Sequence, residues 1–117
     1  MEKEKVYALP LRKVYPAILN KPLKKGRSEE KFLQVVYWLT GYTRADIEQQ
    51  LERDIDYKTF FDESPAWNDL SRLIKGSICG VRVEEIEDET IWRMRCLDKL
   101  IDELAKGRKM EKILRKE

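Results

Sequence analysis

From Ser28 onward the apolar positions recur with helical spacing. Phe32, Val35, Val36 and Leu39 fall at i, i+3, i+4 and i+7, a stripe about as wide as one core-facing helix face. Ser28 is suited to cap this helix. Glu29 and Glu30 oppose the dipole at its start, and Gly41 supplies a left-handed stop. Thr43, with Asp46 three residues on, begins a second helix with a narrower apolar line at Ile47, Leu51 and Ile55. Asp56 can cap a further turn or two, placing Tyr57, Phe60 and Phe61 on one face. Ser64-Pro65 then predicts another helix start, followed by a stripe of Trp67, Leu70, Leu73 and Ile74 up to Gly76. Between Ser77 and Ile86 the pattern weakens, and residues 78–83 read as a loop or one short strand. Asp88 caps the longest helix, whose broad face carries Met94, Leu97, Leu100, Ile101, Leu104 and Ala105. Arg93, Arg95, Asp98, Lys99, Asp102 and Glu103 lie mainly elsewhere on it. Gly107 ends that helix, and Met110, Ile113 and Leu114 mark a last short one.

The first quarter is harder to read. Val6-Tyr7-Ala8-Leu9 is a short apolar lead, and Pro10, Pro16 and Pro22 limit the next stretch of chain to one short helix from about Pro16 to Asn20. The pattern as a whole predicts a mainly α, single-domain protein over residues 1–117, with five to seven helices and at most a small strand element. The 117-residue length and the low total of Gly and Pro agree with that reading. No apolar run approaches the roughly 20 residues of a membrane span. The mixed-charge start Met1-Glu2-Lys3-Glu4-Lys5 lacks the apolar stretch of a secretory signal, so a cytoplasmic location is expected and no membrane partner.

Val14-Tyr15-Pro16, Lys25-Gly26-Arg27, Trp38-Leu39-Thr40-Gly41-Tyr42, the run from Gly80 to Asp88 and the run from Asp98 to Gly107 occur together in this chain. In that combination the sequence resembles a family of small, uncharacterised bacterial proteins catalogued as domain of unknown function number 2200. The resemblance extends from about Val6 to Arg115. It implies a stand-alone bacterial cytoplasmic protein and transfers no activity, cofactor or catalytic residue.

The chain contains no histidine, which excludes Ser–His–Asp and Cys–His nucleophilic systems, histidine-ligated zinc and histidine general-base chemistry within one chain. Gly76-Ser77-Ile78-Cys79-Gly80 lacks the Gly-Lys-Ser/Thr ending of a phosphate-binding loop. Glu84, Glu85, Glu87, Asp88 and Glu89 could ligate a divalent cation, but their position reads as the acidic approach to a helix start. Cys79 and Cys96 are read as buried small hydrophobes, with a reactive thiolate at Cys79 as the alternative. No catalytic, metal or cofactor residue is assigned, and interaction ranks above catalysis.

The net charge of +2 is unevenly distributed. Residues 1–27 carry +6, residues 28–70 carry −6, residues 71–105 carry −2 and residues 106–117 carry +4. Lys21, Lys24, Lys25 and Arg27 could join Lys106, Arg108, Lys109, Lys112 and Arg115 in a phosphate-binding surface, or each basic end could pair with acidic groups of the same fold. The helix–Gly41–helix corner reads as structural, because its second helix carries more acids than bases. Trp38 sits roughly 100° from the centre of the Phe32–Leu39 stripe. With Tyr37 and Tyr42 it forms the candidate partner-binding group, together with Lys21, Lys24, Lys25, Arg27 and Arg82. The resulting expectation is a non-enzymatic interaction or regulatory module, with a homo-oligomer or another protein as partner. A nucleic-acid binder using the two basic ends is the first alternative. An enzyme with a small carboxylate, tyrosine or thiol site is the second.

Overall fold

The computed structural model describes residues 3–116, so Met1, Glu2 and Glu117 lie outside the described residues. The helices are α1 (Lys3–Tyr7), α2 (Leu11–Leu23), α3 (Glu29–Thr40), α4 (Arg44–Glu52), α5 (Tyr57–Asp62), α6 (Glu89–Ala105) and α7 (Met110–Ile113). A two-stranded antiparallel hairpin, β1 (Ser77–Ile78) and β2 (Val81–Arg82), lies between two short 3₁₀ helices, Asp69–Leu73 and Val83–Glu85. The fold is therefore mainly α, as the apolar periodicity predicts. Among the described residues no helix is long and apolar enough to cross a membrane.

The core is organised around α6. Met94, Leu97, Leu100, Ile101 and Leu104 are buried along it, and α2, α3, α5, α7, β1 and the Val83–Glu85 turn all pack against it. Phe32, Val35, Val36 and Leu39 of α3 and Phe60 and Phe61 of α5 complete the same cluster. The radius of gyration, 13.3 Å, is close to the value of about 13 Å expected for a folded chain of this length.

Four of the five caps read from the sequence form, Ser64 being the exception. The Ser28 hydroxyl accepts from Lys31 N, Asp56 from Thr59 N and Asp88 from Ile91 N. Thr43 and Asp46 make a reciprocal capping box. Backbone N–H groups hold the carboxyls of Asp46 and Asp56 below the usual aspartate range.

Three segments differ from the sequence reading. The short helix expected from Pro16 to Asn20 is instead the 13-residue α2, with both prolines inside it. Leu11, Tyr15 and Pro22 are buried on one side, with Ile18 half-buried between them, so an i, i+4, i+7, i+11 line was present beneath the prolines. Pro16 is exposed, so the Arg12 carbonyl it leaves without an intrahelical partner lies on the solvent side.

The helix expected after Ser64-Pro65 is replaced by a turn and a 3₁₀ helix. Ala66 N donates to Thr40 O (2.9 Å), Asn68 N donates to Leu39 O (3.0 Å), and the Asn68 amide donates to Trp38 O (3.0 Å). Residues 66–68 thus supply donors to the last carbonyls of α3, and that role is incompatible with forming their own helix. Asn68, rather than Ser64, becomes the N-cap.

The third segment is the hairpin. Cys79 (φ 53°) and Gly80 (φ 80°) both adopt left-handed conformations, as a two-residue type I′ turn requires. Cys79 is consequently exposed at the hairpin tip, correcting the buried reading, while Cys96 is buried.

Gly41 illustrates how tightly the α3 exit is built. Its φ is 84°, and a Cβ placed there would lie 2.7 Å from Ala66 N and 2.8 Å from Ala66 Cβ. Gly107 has a similar φ, 87°, but open space around it. Gly107→Ala should cost only the left-handed penalty of about 1–2 kcal/mol. Gly41→Ala should cost clearly more, because the contact is with backbone that also caps α3. Urea unfolding of the two variants under identical conditions measures the difference.

Candidate functional site

The residues singled out from the sequence separate into different environments. Tyr37 projects from α3 and is 58% exposed. Trp38 is half-buried and shares a shallow groove with Tyr37, Gly41, Ala66, Asn68 and Leu114. Tyr42 is 1% exposed, so it is not a surface contact residue: the left-handed turn at Gly41 brings it into the core. There its hydroxyl donates to Phe60 O (2.7 Å) and its ring stacks on Phe60 at 4.5 Å. Arg82 is exposed on β2 and does not line the grooves that hold Trp38 or Tyr42.

The two basic ends do meet, around acids of α6. Lys21 and Lys106 both pair with Asp102, at 3.3 and 3.0 Å. Glu103, 5% exposed, accepts from Arg108 at 3.0 Å and from Arg115 at 2.5 Å. Much of the positive charge is thereby matched inside the fold. Lys24 and Lys25 remain exposed beside the α2 terminus, and Arg27 is half-buried. The acidic stretch ahead of α6 also has structural duties. Asp88 caps α6, Glu84 accepts from Gly76 N, and among the described residues no group of three acids or cysteines could hold a metal ion.

A different set of residues lines a partly enclosed, mainly apolar cavity. A pocket of about 310 Å³ lies among α1, α5 and α6, lined by Val6, Leu9, Tyr57, Ile91, Met94, Arg95 and Asp98. Its position follows from backbone pairing between distant segments. Leu11 N donates to Ile55 O (2.9 Å) and Tyr57 N donates to Leu9 O (2.8 Å), fixing the α1–α2 junction against the start of α5. The Tyr7 hydroxyl donates to Asp88 Oδ2 (2.7 Å), tying α1 to the α6 cap.

The walls are apolar, and the polar groups converge at Tyr57, Arg95 and Asp98. Arg95 donates to Asp98 across one helical turn (3.2 Å). The Tyr57 side chain is 5% exposed, and its hydroxyl is buried without a hydrogen-bond partner. Burial drives its pKa well above the usual phenol value, with the nearby Asp98 charge adding to the rise and Arg95 opposing it. Asp98 is also raised, because desolvation outweighs the stabilising effects of Arg95 and Lys21. An apolar cavity with a few polar groups at one end, one of them a carboxyl raised by burial, is a recurring arrangement at binding sites.

Sequence reasoning assigned Tyr57 to the core and Arg95 and Asp98 to the outer face of the long helix. A signal was present in that helix. Ile91, Arg95 and Asp98 follow i, i+4, i+7 beside the main stripe, so an apolar line continues into an ion pair. That α1 and α5 would cover it was not encoded in the spacing.

Tyr57→Phe should retain the fold and raise stability by about 1 kcal/mol, because it removes a buried hydroxyl that lacks a partner. Denaturant unfolding checks the sign. The cysteines make a second prediction. Burial pushes the Cys96 thiol up to about 12, whereas Cys79 is exposed. A maleimide should label the native protein once, at Cys79, and label Cys96 only after unfolding, as read by intact-mass and peptide mass spectrometry.

Comparison with known proteins supplies an identity and no activity. Residues 5–115 match a family described as "uncharacterized protein conserved in bacteria (DUF2200)". No curated protein matches the chain. A solved structure, the crystal structure of uncharacterized protein SP1917, is similar with 41% identity and a TM-score of 0.89, covering 97% of this chain and 93% of that one. A match over nearly all of the chain shows that the protein belongs to the bacterial DUF2200 family.

Proposed function

We propose that this protein is a small non-enzymatic binding module that takes up a small, mainly apolar molecule in the α1–α5–α6 pocket. The observation that carries the reading is a cavity of about 310 Å³ whose walls are mainly Val6, Leu9, Ile91 and Met94, with the Arg95–Asp98 pair as its polar end. A bound molecule that covers these apolar walls removes them from water, so occupancy stabilises the folded state. The cavity is near the small end of the range for ligand pockets, about 300–1,000 Å³.

Binding is favoured over catalysis by the chemistry of the lining. A phenol raised well above its ordinary value remains neutral near pH 7 and serves as a donor, not as a phenolate base. Asp98 is engaged by Arg95, and neither cysteine lines the cavity. A regulatory consequence arises from position. Val6 and Leu9 of the N-terminal segment form one wall, so occupancy bears directly on how α1 seats against α6.

A second reading, contact with another copy through α3, is favoured by Tyr37, an exposed aromatic beside the half-buried Leu33 and Trp38. Sedimentation that detects only monomer at high concentration would remove self-association through this face.

Indole and 1-heptanol are suitable probes of the pocket. In methyl-labelled protein the Met94 and Ile91 resonances should shift on titration, while those of Ile113, the buried residue of α7, should not. Ile91→Trp fills the cavity and should abolish the Met94 response. Uniform shifts across the core, or none, would count against the pocket.

A further inference from the structure

The enclosed acids at the end of α6 gather one sign of charge on one part of the molecule. Residues 21–27 and 102–117 together carry ten Lys and Arg against four Asp and Glu, an excess of six in a chain whose total is +2. Asp102 holds Lys21 of α2 and Lys106, and the adjacent Glu103 holds Arg108 and Arg115. Two acids therefore serve four cations, and positive charge is left over where the two basic segments meet. Lys24, Lys25, Lys109, Lys112 and Lys116 are exposed on the same two segments, and among the described residues none of the five has an ion-pair partner. Like charges crowded in this way repel one another, and a bound polyanion relieves that repulsion.

An aromatic groove adjoins this basic end. Leu114, next to Arg115 in the chain, lines it together with Gln34, Tyr37 and Trp38 of α3. Lys31 lies about one turn before Gln34 on the same side of α3, and α3 begins two residues beyond Arg27, so cations lead from the basic end towards Tyr37. Glu30 falls in the groove on the other flank of Tyr37, which it shares with Arg44, and Glu111 is an exposed acid of α7.

We propose that this surface binds single-stranded nucleic acid, its phosphates lying along the lysines of the basic end and a base stacking on Tyr37. A single strand fits better than a duplex because its unpaired bases are free to stack on an exposed ring, whereas the base faces of a duplex cover one another. A polyanion without rings would engage the lysines alone and leave Tyr37 unused. None of these residues lines the α1–α5–α6 pocket, so the inference stands apart from the small-molecule reading. The Tyr37 face is also the one through which two copies would meet, and a bound strand competes with a second copy for it.

Fluorescence anisotropy of a labelled oligo(dT) strand of about 12 nucleotides, titrated with the full chain at several salt concentrations, tests the proposal. The strand should bind more tightly than a duplex of the same length, and affinity should fall as salt rises. Lys24→Gln, Lys25→Gln and Lys109→Gln should each weaken binding and lower the slope of log affinity against log salt by about 0.7, the value for one phosphate contact on a single strand. Lys13→Gln, the same change near the opposite end of α2, should leave the slope unaltered. Tyr37→Ala should weaken binding about fivefold or more without changing the slope. All five positions are exposed, so these variants retain the fold. Absence of binding at low salt would overturn the proposal, as would a duplex bound as tightly as the strand or a Tyr37→Ala variant that binds normally. Lysine variants that behave like Lys13→Gln would also overturn it, since net charge and not a site would then be responsible. A dimer in sedimentation that Tyr37→Ala dissociates and the strand leaves intact would assign the face to a second copy instead.

Discussion

Helix α6 is surrounded on more sides than its apolar stripe can cover. Packing against α2, α3, α5, α7 and the hairpin buries its apolar face, but the same neighbours also enclose charged positions flanking that face. Burying a charge alone is costly, so each enclosed acid is found with a cation: Asp98 with Arg95, Asp102 with Lys21 and Lys106, Glu103 with Arg108 and Arg115. The last two pairings bring Lys21 near the end of α2 and Arg108 and Arg115 of the C-terminal segment onto α6. Leaving Glu103 buried without its arginines would cost about 3–5 kcal/mol, comparable with a large share of the stability of a domain of this size.

A second, local requirement governs the other side of the molecule. The final carbonyls of α3 are enclosed and need donors, which residues 66–68 provide. This pairing consumes the backbone that would otherwise begin a helix after Pro65. It brings Ala66 against Gly41 and leaves Trp67 to pack edge-on against Phe61 and Trp92 at 6.3 and 5.8 Å. Trp92, off the main stripe of α6, is accounted for by that contact. Arg93 lies over Trp67 and Arg72 over Trp92, so cations cover the remaining aromatic surface.

The α1–α5–α6 cavity is one place where the enclosure of α6 remains incomplete. The Tyr57 hydroxyl lies buried without a partner near this cavity, as Arg93 Nε does elsewhere on α6. The same short α1 segment that covers the cavity is positioned by backbone bonds to residues 55–57 and by Tyr7 on Asp88. The seating of α1 therefore bears on the shape of this cavity, which Val6 lines. The exposed Cys79 hairpin and the Tyr37 ridge lie outside that cavity lining.

The sequence alone determined the features that depend on neighbours along the chain. Ser28, Thr43, Asp56 and Asp88 cap helices because their side chains reach N–H groups only two or three residues away, and the stripes of α3 and α6 follow from the helical repeat. The absence of histidine, a matter of composition, removes whole reaction classes. Tertiary structure decided the rest. Prolines 16 and 22 stay within α2 because a buried face holds it, the expected Ser64 helix yields to the carbonyl requirements of α3, and Tyr42 turns inward past Gly41. The site is illegible in the sequence for the same reason: Tyr57, Arg95 and Asp98 converge only through the pairing of residues 9–11 with 55–57 and the packing of α5 on α6. Local periodicity records which face of a helix is apolar, but which neighbour covers a face, and which polar atom is left unpaired beneath it, depends on contacts between residues distant in the chain.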